Sequence, residues 1–494
     1  MNAPAEDSPV RDSSAEDPRT ENPSAEDQEV HSDESACPLS VREQNQNICL
    51  LTVNWGLIYL ASPVTYVGTI QASLCERLGM NDRIANIPSS AYLFATALPI
   101  LVVSLFPRVS QLHRVLTASF AVASLSGIFL AGALVVPLPA GVDRSGVVVA
   151  ALILHAAVMG CTIGVAVDNQ WEVLGRGVAH ERRGQALAWV FSLGPLLAVA
   201  ASLGSQLLLA GRLNGFRVPA VAWLGLDAWK VPDLVIPSLE FPWNFSAVFA
   251  MSVPILGLAG CLSSRYAIPK PKVELPRASL LAGLGASIRQ FLGYRPILIS
   301  TVAYILVYSG FMVINNITLY TRQAMDEGPE QSAGLQLALR FAFKVIAGLG
   351  LGCLLAWTNP RTLLVTTAVI VGVGVTWALA VPGTWYLLCF GLLGAGELFG
   401  VYYPNYILGC SPKSKMRKNM ALTSLITTPV GFSAVIYGSV SDKLGVGDRK
   451  FGLQASFVLS LTLLALAIAL VLVALPARPR PRDADLDASD RPAA

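Results

Sequence analysis

Residues 160–205 read GCTIGVAVDNQWEVLGRGVAHERRGQALAWVFSLGPLLAVAASLGS. The stretch is the second half of one apolar helix, a short charged loop and most of the next helix. Residues 394–439 read GAGELFGVYYPNYILGCSPKSKMRKNMALTSLITTPVGFSAVIYGS, at a spacing of 234. Leu174-Gly175 recurs as Leu408-Gly409, Arg183 as Arg417, Pro195 as Pro429, Ala200 as Ala434 and Gly204-Ser205 as Gly438-Ser439. In each copy basic residues precede an apolar helix carrying Pro, with Gly-Ser nine residues later. The copies occupy matching places in the helix count, from the fourth to the fifth apolar segment and from the tenth to the eleventh. Repeated halves of this kind are one building plan of polytopic membrane proteins.

Composition agrees. Of 494 residues, 53% are hydrophobic and only 14% are charged, where a soluble domain carries about a quarter. Apolar runs of about 20 residues span a bilayer as helices, because lipid offers the backbone no hydrogen-bond partner. Twelve such segments are expected, at 48–72, 84–106, 115–137, 147–168, 185–210, 243–265, 296–319, 331–357, 361–381, 384–409, 419–440 and 452–475. The fold class is therefore an all-α membrane protein with two six-helix halves, at 48–265 and 296–475.

Flanking regions differ in charge. Residues 1–47 hold 12 acidic residues and three arginines, net −9 against +3 for the whole chain, so the remainder carries +12. The acidic tail has no apolar stretch and reads as disordered rather than as a signal peptide; residues 476–494 read as a second disordered tail. The basic excess lies in alternate loops: Arg108 and Arg114; Arg176, Arg182 and Arg183; six Lys or Arg from Arg265 to Arg295; Arg361; and Lys413 to Lys418. The loops at 76–83, 143–144 and 326–330 are near neutral or acidic, and the last outer loop, Asp442–Lys450, breaks the trend slightly. The positive-inside rule puts the basic loops and both termini in the cytoplasm. The linker at 266–295 carries a Leu280, Leu281, Leu284, Ile288, Phe291 and Leu292 stripe, the pattern of a helix lying on the membrane surface. The outer loop at 211–242 is too long for a bare turn and is placed to cap the outer mouth.

Charged side chains inside the bilayer are costly and face a bundle interior or a wet cavity. The eighth segment has two, Arg340 and Lys344, one turn apart on one face. The tenth has Glu397. At about 1.5 Å per residue, Arg340 lies roughly 14 Å deep and Lys344 and Glu397 roughly 20 Å. Pairing Glu397 with one cation gives either an internal brace or a binding site left at net +1, suited to an anionic or zwitterionic solute. In the seventh segment Tyr304, Tyr308, Met312 and Asn315 share a face; in the first, Trp55, Tyr59 and Tyr66 do. Asp168, Glu172 and Arg176 are spaced for an ion-pair ladder that could serve an inner gate, and Arg183 stands in the following loop. His155 is a proton-relay candidate, since its ordinary pKa is near neutrality. Gly348-x-x-x-Gly352 and Gly396-x-x-x-Gly400 would allow close helix approach.

The whole resembles the major facilitator superfamily. Glu181-Arg182-Arg183-Gly184-Gln185-Ala186 leading into Leu193-Gly194-Pro195 is similar to that family's entrance to the fifth helix. Gly438 to Gly445, with Asp442 and Lys443, has the spacing of its Gly-x-x-x-Asp-Arg/Lys-x-Gly signature. That signature belongs between helices two and three, where this chain has Phe106 to Arg114 and no acid, and the fourth helix lacks the buried Arg of many proton-coupled members. The resemblance implies that helices one, four, seven and ten line a central path. It implies a secondary active or facilitative transporter in the cell membrane, working by alternating access; a non-transporting sensor of the same architecture is the alternative. An enzyme is not expected: there is no GxSxG, no HExxH and no Walker A sequence. The eight cysteines show no CxxC pair or zinc spacing, so neither a metal nor a cofactor is expected. The expected partners are a small solute, a coupled ion and the lipid bilayer, with no nucleic acid.

Overall fold

The first helix, α1 (Val41–Leu60), starts at its own capping box. The Ser40 hydroxyl accepts from the Glu43 amide at 3.3 Å, and the Glu43 carboxylate accepts from the Ser40 amide at 2.8 Å. Two of the orphan donors at the helix start are thereby satisfied, and the helix begins ahead of the expected residue 48. The computed structural model describes residues 39–66, 68–99, 102, 106, 109–213, 217–218, 229–230, 233–269, 284–411 and 416–479. Residues 1–38 and 480–494, which include most of both expected tails, lie outside the described residues.

Ten helical stretches among the described residues are long and apolar enough to cross a membrane. They contain α4 (Leu112–Val135), α5 (Arg144–Gly177), α6 (His180–Ala210), α7 (Trp243–Ser263), α9 (Arg295–Phe311) with α10 (Ile314–Met325), α11 (Ala333–Trp357), α12 (Pro360–Ala380), α13 (Leu388–Gly396) with α14 (Phe399–Gly409), α15 (Met416–Thr427) with α16 (Gly431–Leu444), and α17 (Arg449–Ala474). Of the first two expected segments, α1 falls short of that test, and most of the second beyond Pro99 lies outside the described residues. α1 buries the polar Gln44, Asn47 and Asn54 and ends at a short turn, Ser62–Thr65, before α2 (Thr69–Arg77). α3 (Asp82–Ala95) buries Asp82, Asn86, Ser89 and Ser90. α5 runs past the expected residue 168 to Gly177, so Glu172 and Arg176 are helical.

Within the first half, α4 packs on α5 and α7, and α1 on α6; within the second, α9 and α12 pack on α17, and α11 on α13. The halves meet along two seams, α3 against α16 and α6 against α11. The repeat read in the sequence has a structural counterpart. A Cβ on Gly160 of α5 would collide with the Tyr92 carbonyl of α3, and one on Gly394 of α13 with the Arg340 carbonyl of α11. In both halves the fourth segment closes on the second through a glycine at the same repeat position. The Gly348-x-x-x-Gly352 expectation fails: a Cβ at either glycine meets nothing within 4 Å. Gly400 is equally open, while Gly396 does sit against Val371 and Thr367 of α12.

The start of α1 and the end of the described chain lie at one end of the bundle. There Asn47 donates to the Gly177 and Ala267 carbonyls at 3.0 and 2.8 Å, and Arg361 donates to the Leu475 carbonyl at 3.0 Å. α8 (Leu284–Leu292) lies at this end on α9 and α15, with Phe291 buried, Ile288 and Leu292 half-buried and Arg289 exposed; Leu280 and Leu281 of the expected stripe lie outside the described residues. At the opposite end the 211–242 loop holds two short antiparallel pairs, β1 (Arg212–Leu213) with β4 (Leu234–Val235), and β2 (Arg217–Val218) with β3 (Trp229–Lys230). Arg212 reaches Glu327 of the second half at 3.6 Å, while the centre of the loop, 219–228, lies outside the described residues.

Candidate functional site

Arg340 and Lys344 stand one turn apart on α11, and Glu397 occupies the break between α13 and α14. At that break the ladder tightens: the Gly400 amide donates to the Glu397 carbonyl at 3.0 Å and Val401 to Leu398 at 2.9 Å. Short i→i+3 turns inside a helix re-aim side chains, and here the turn directs Glu397 at α11. Arg340 Nε donates to Glu397 Oε2 at 2.8 Å, and Lys344 Nζ lies 3.3 Å from Oε1. The expected pairing with one cation is thus corrected: the carboxylate has two oxygens and takes both cations, because both project from one helix face. The group still carries net +1. The two terminal nitrogens of Arg340 donate to no described residue.

Aromatic rings wall this group. Arg340 lies 5.2 Å from the Phe311 ring and 5.9 Å from Tyr66; Lys344 lies 5.8 Å from Tyr66 and 6.0 Å from Phe341. Tyr59 stacks on Tyr66 at 6.1 Å and meets Phe341 at 6.2 Å. Tyr304 and Tyr308 stack at 5.9 Å, and both border Phe399, which follows the break. Because Tyr59 and Tyr66 belong to the first half and α11 to the second, the charges sit at the boundary between the halves. Ring faces toward a cation supply electrostatic attraction without a counter-charge, so they help hold the unneutralised charge in a mostly apolar site.

Other expected residues are elsewhere. The seventh segment breaks at Met312 and Val313, between α9 and α10, which turns Asn315 off the Tyr304–Tyr308 face. Asn315 instead donates to Asn86 Oδ1 at 3.1 Å and Ser89 Oγ at 2.9 Å. His155 is buried between α4, α5 and α7, its Nδ1 3.0 Å from Ser126 Oγ and its ring edge-on to Phe249. Neither contact belongs to the charged group. Arg176 pairs with Glu172 at 2.9 Å, but Asp168, four residues earlier, joins no such ladder; it is exposed and has no polar partner among the described residues. Arg183 donates to the Val178 carbonyl at 3.1 Å and to that of Gly175, capping the end of α5.

A second polar cluster escaped the sequence reading. Arg449, at the start of α17, holds Glu76 with Nη1 and Nη2 at 2.9 and 2.6 Å, and Nη2 also reaches Asp82 at 2.6 Å. Arg322 lies 3.5 Å from Glu76. The Asp442 carboxylate accepts the Asp82 and Arg83 amides at 3.0 Å each, capping α3 from the other half, and Ser441 donates to Asp82 at 2.5 Å. Asn86 donates to Asn316, which donates in turn to the Tyr437 carbonyl and Ser456. Gln206 of α6 accepts the Gly334 and Leu335 amides of α11. All these ties lie at the end opposite the start of α1 and the end of α17. The only signal in the sequence was Asp442 in its Gly-bounded signature.

The sequence matches no protein-family model and no curated protein. Solved structures match the fold. A substituted form of the nucleoside transporter NupG superposes with a TM-score of 0.62 at 10% identity, covering 88% of this chain and 100% of that one. A D-xylose–proton symporter gives 0.62 at 14%, covering 87% and 98%. The chain has the major facilitator fold. A bacterial homologue of the human lysosomal transporter Spinster, inward-facing and unoccupied, gives 0.57 at 13%, covering 88% and 98%. With ten apolar spanning stretches in the major facilitator fold, the chain is a multi-pass membrane protein. Three of the four helices that the resemblance placed on the central path of the major facilitator fold supply Tyr59, Tyr304 and Glu397; the eighth segment adds both cations.

Proposed function

We propose that this protein is a secondary transporter of a small anionic or zwitterionic solute in the cell membrane, working by alternating access. The observation that carries the reading is the Arg340–Lys344–Glu397 group: net +1, at the boundary of the halves, with the terminal Arg340 nitrogens free for a ligand. A planar guanidinium fork suits a carboxylate or phosphate, with Lys344 as a point charge beside it. The polar ties at one end and the long basic loops at the other suit a bundle latched at its outer mouth. In this reading α1 with α2, and α3 with the residues that follow it, complete twelve spans, and both termini are cytoplasmic. With no Walker A sequence, the driving force is an ion gradient or the solute's own.

The test is uptake into proteoliposomes containing the full chain, screened over anionic and zwitterionic metabolites with and without a proton gradient. Saturable uptake that Arg340→Gln lowers by about tenfold or more supports the proposal, since one lost charge-assisted contact is worth about that factor. Binding without flux for any solute would make the protein a sensor instead. Uptake of neutral solutes alone, untouched by Arg340→Gln and Lys344→Gln, would overturn the anion site.

A further inference from the structure

One acid of the first half, Asp168, has no polar partner among the described residues. Tyr59 of α1, and Tyr66 just beyond the turn that follows it, meet Phe341 of the other half, so the Tyr59 face of α1 points across the boundary. Trp55, four residues before Tyr59, lies on the same face, one turn nearer the chain ends. Its ring meets Trp171 of α5 at 6.2 Å and Phe191 of α6 at 5.8 Å, and Trp171 and Phe191 are 44% and 45% exposed. Asp168 sits one turn from Trp171 on the same helix face, also exposed. Its neighbour Glu172 is taken by Arg176. A carboxylate within a membrane helix that has no partner stays ionised only beside water or a cationic ligand.

We propose that Asp168, with the Trp171 and Trp55 faces, is the cation-receiving pole of the cavity whose anion-receiving pole is Arg340 and Lys344. This rests on the reading of the Arg340 group as a solute site and narrows the solute to one class: a bipolar molecule with an ammonium at one end and an acid group at the other. The contacts run Trp171 to Trp55 at 6.2 Å, Trp55 to Tyr59 at 6.4 Å, Tyr59 to Tyr66 at 6.1 Å and Tyr66 to Arg340 at 5.9 Å. Rings therefore stand between the poles, and the two charges are separated by an apolar spacer rather than carried on one carbon. A carboxylate gives the ammonium a salt bridge, and indole faces are the strongest aromatic partners for a cation.

The probes are ω-amino carboxylates, from β-alanine through ε-aminocaproate to ω-aminolaurate, each against the unsubstituted carboxylate of equal length. Binding to the purified full chain in detergent is measured by calorimetry. In the wild type the amino group should improve binding by about tenfold at the longer lengths and little at β-alanine. Asp168→Asn should erase that advantage while leaving the plain carboxylates as they were, and Asp168→Glu should restore part of it. The proposal is overturned if the amino group helps at no length, or if its advantage survives Asp168→Asn. Arg340→Gln separates the two readings. If it leaves carboxylate binding unchanged, the solute site itself is misplaced; if it abolishes that binding while Asp168→Asn does nothing, only the second pole fails.

Discussion

Arg449 grips both carboxylate oxygens of Glu76, a residue of the opposite half, at 2.9 and 2.6 Å. The same guanidinium reaches Asp82, so one side chain on α17 ties down the end of α2 and the start of α3. Around it, Asp442 caps α3 and the Asn86–Asn315–Asn316 cluster extends the seam inward. The closure rests on directional hydrogen bonds to buried carboxylates, not on apolar packing alone.

Loosening that latch should shift the bundle toward opening at its end. Glu76 and Asp82 are nearly buried, but the Arg449 side chain is 36% exposed. Its loss is therefore closer to about 1–2 kcal/mol than to the roughly 3–5 kcal/mol of a fully buried pair. That shifts a two-state population by about 5–30-fold. In Arg449→Gln, a cysteine placed at the buried Ser90 of α3 should react with an impermeant maleimide from outside cells several times faster than in the parent. Unchanged labelling would mean that the pair does not hold the closed state.

Glu397→Gln leaves Arg340 and Lys344 facing each other across one helix turn in a buried site. The expected cost is about 3–5 kcal/mol, seen as a fall in melting temperature and membrane yield. Adding Lys344→Gln should recover most of the loss, because the repulsion goes with the second cation. If the double variant melts no higher than Glu397→Gln alone, the defect lies in the helix break and not in charge.

Gly394→Ala puts a methyl group into the Arg340 carbonyl and must push α13 off α11, pulling Glu397 from its cations. Destabilisation by about 1–3 kcal/mol is expected, the usual cost of overpacking. Gly348→Ala, with nothing within 4 Å, should be neutral or should stabilise by up to about 1 kcal/mol from helix propensity. Melting curves of the two purified variants decide it, and equal effects would refute the packing assigned to Gly394.

The orientation is checked at Gly285, exposed on α8. In a background lacking the accessible native cysteines, Gly285→Cys should resist impermeant reagents on intact cells and react after permeabilisation. Rapid labelling on intact cells would reverse the assignment of both termini to the cytoplasm.

The sequence by itself determined the helical class, the twofold organisation and the identity of the buried charges. Lipid leaves the backbone no partner outside a helix or a closed barrel, so apolar run length reads directly as span, and a charge inside such a run announces itself. Helix periodicity also placed Arg340 and Lys344 on one face, because neighbours within four residues are set by 3.6 residues per turn. Only the tertiary structure decided what crosses between helices. Asn315 left the Tyr304–Tyr308 face because a break at Met312–Val313 interrupts the periodicity that the spacing assumed. Glu397 reaches two cations because the chain turns tightly under it. The Arg449–Glu76 pair joins residues 373 positions apart. No local pattern encodes that distance; it follows from how the two halves pack.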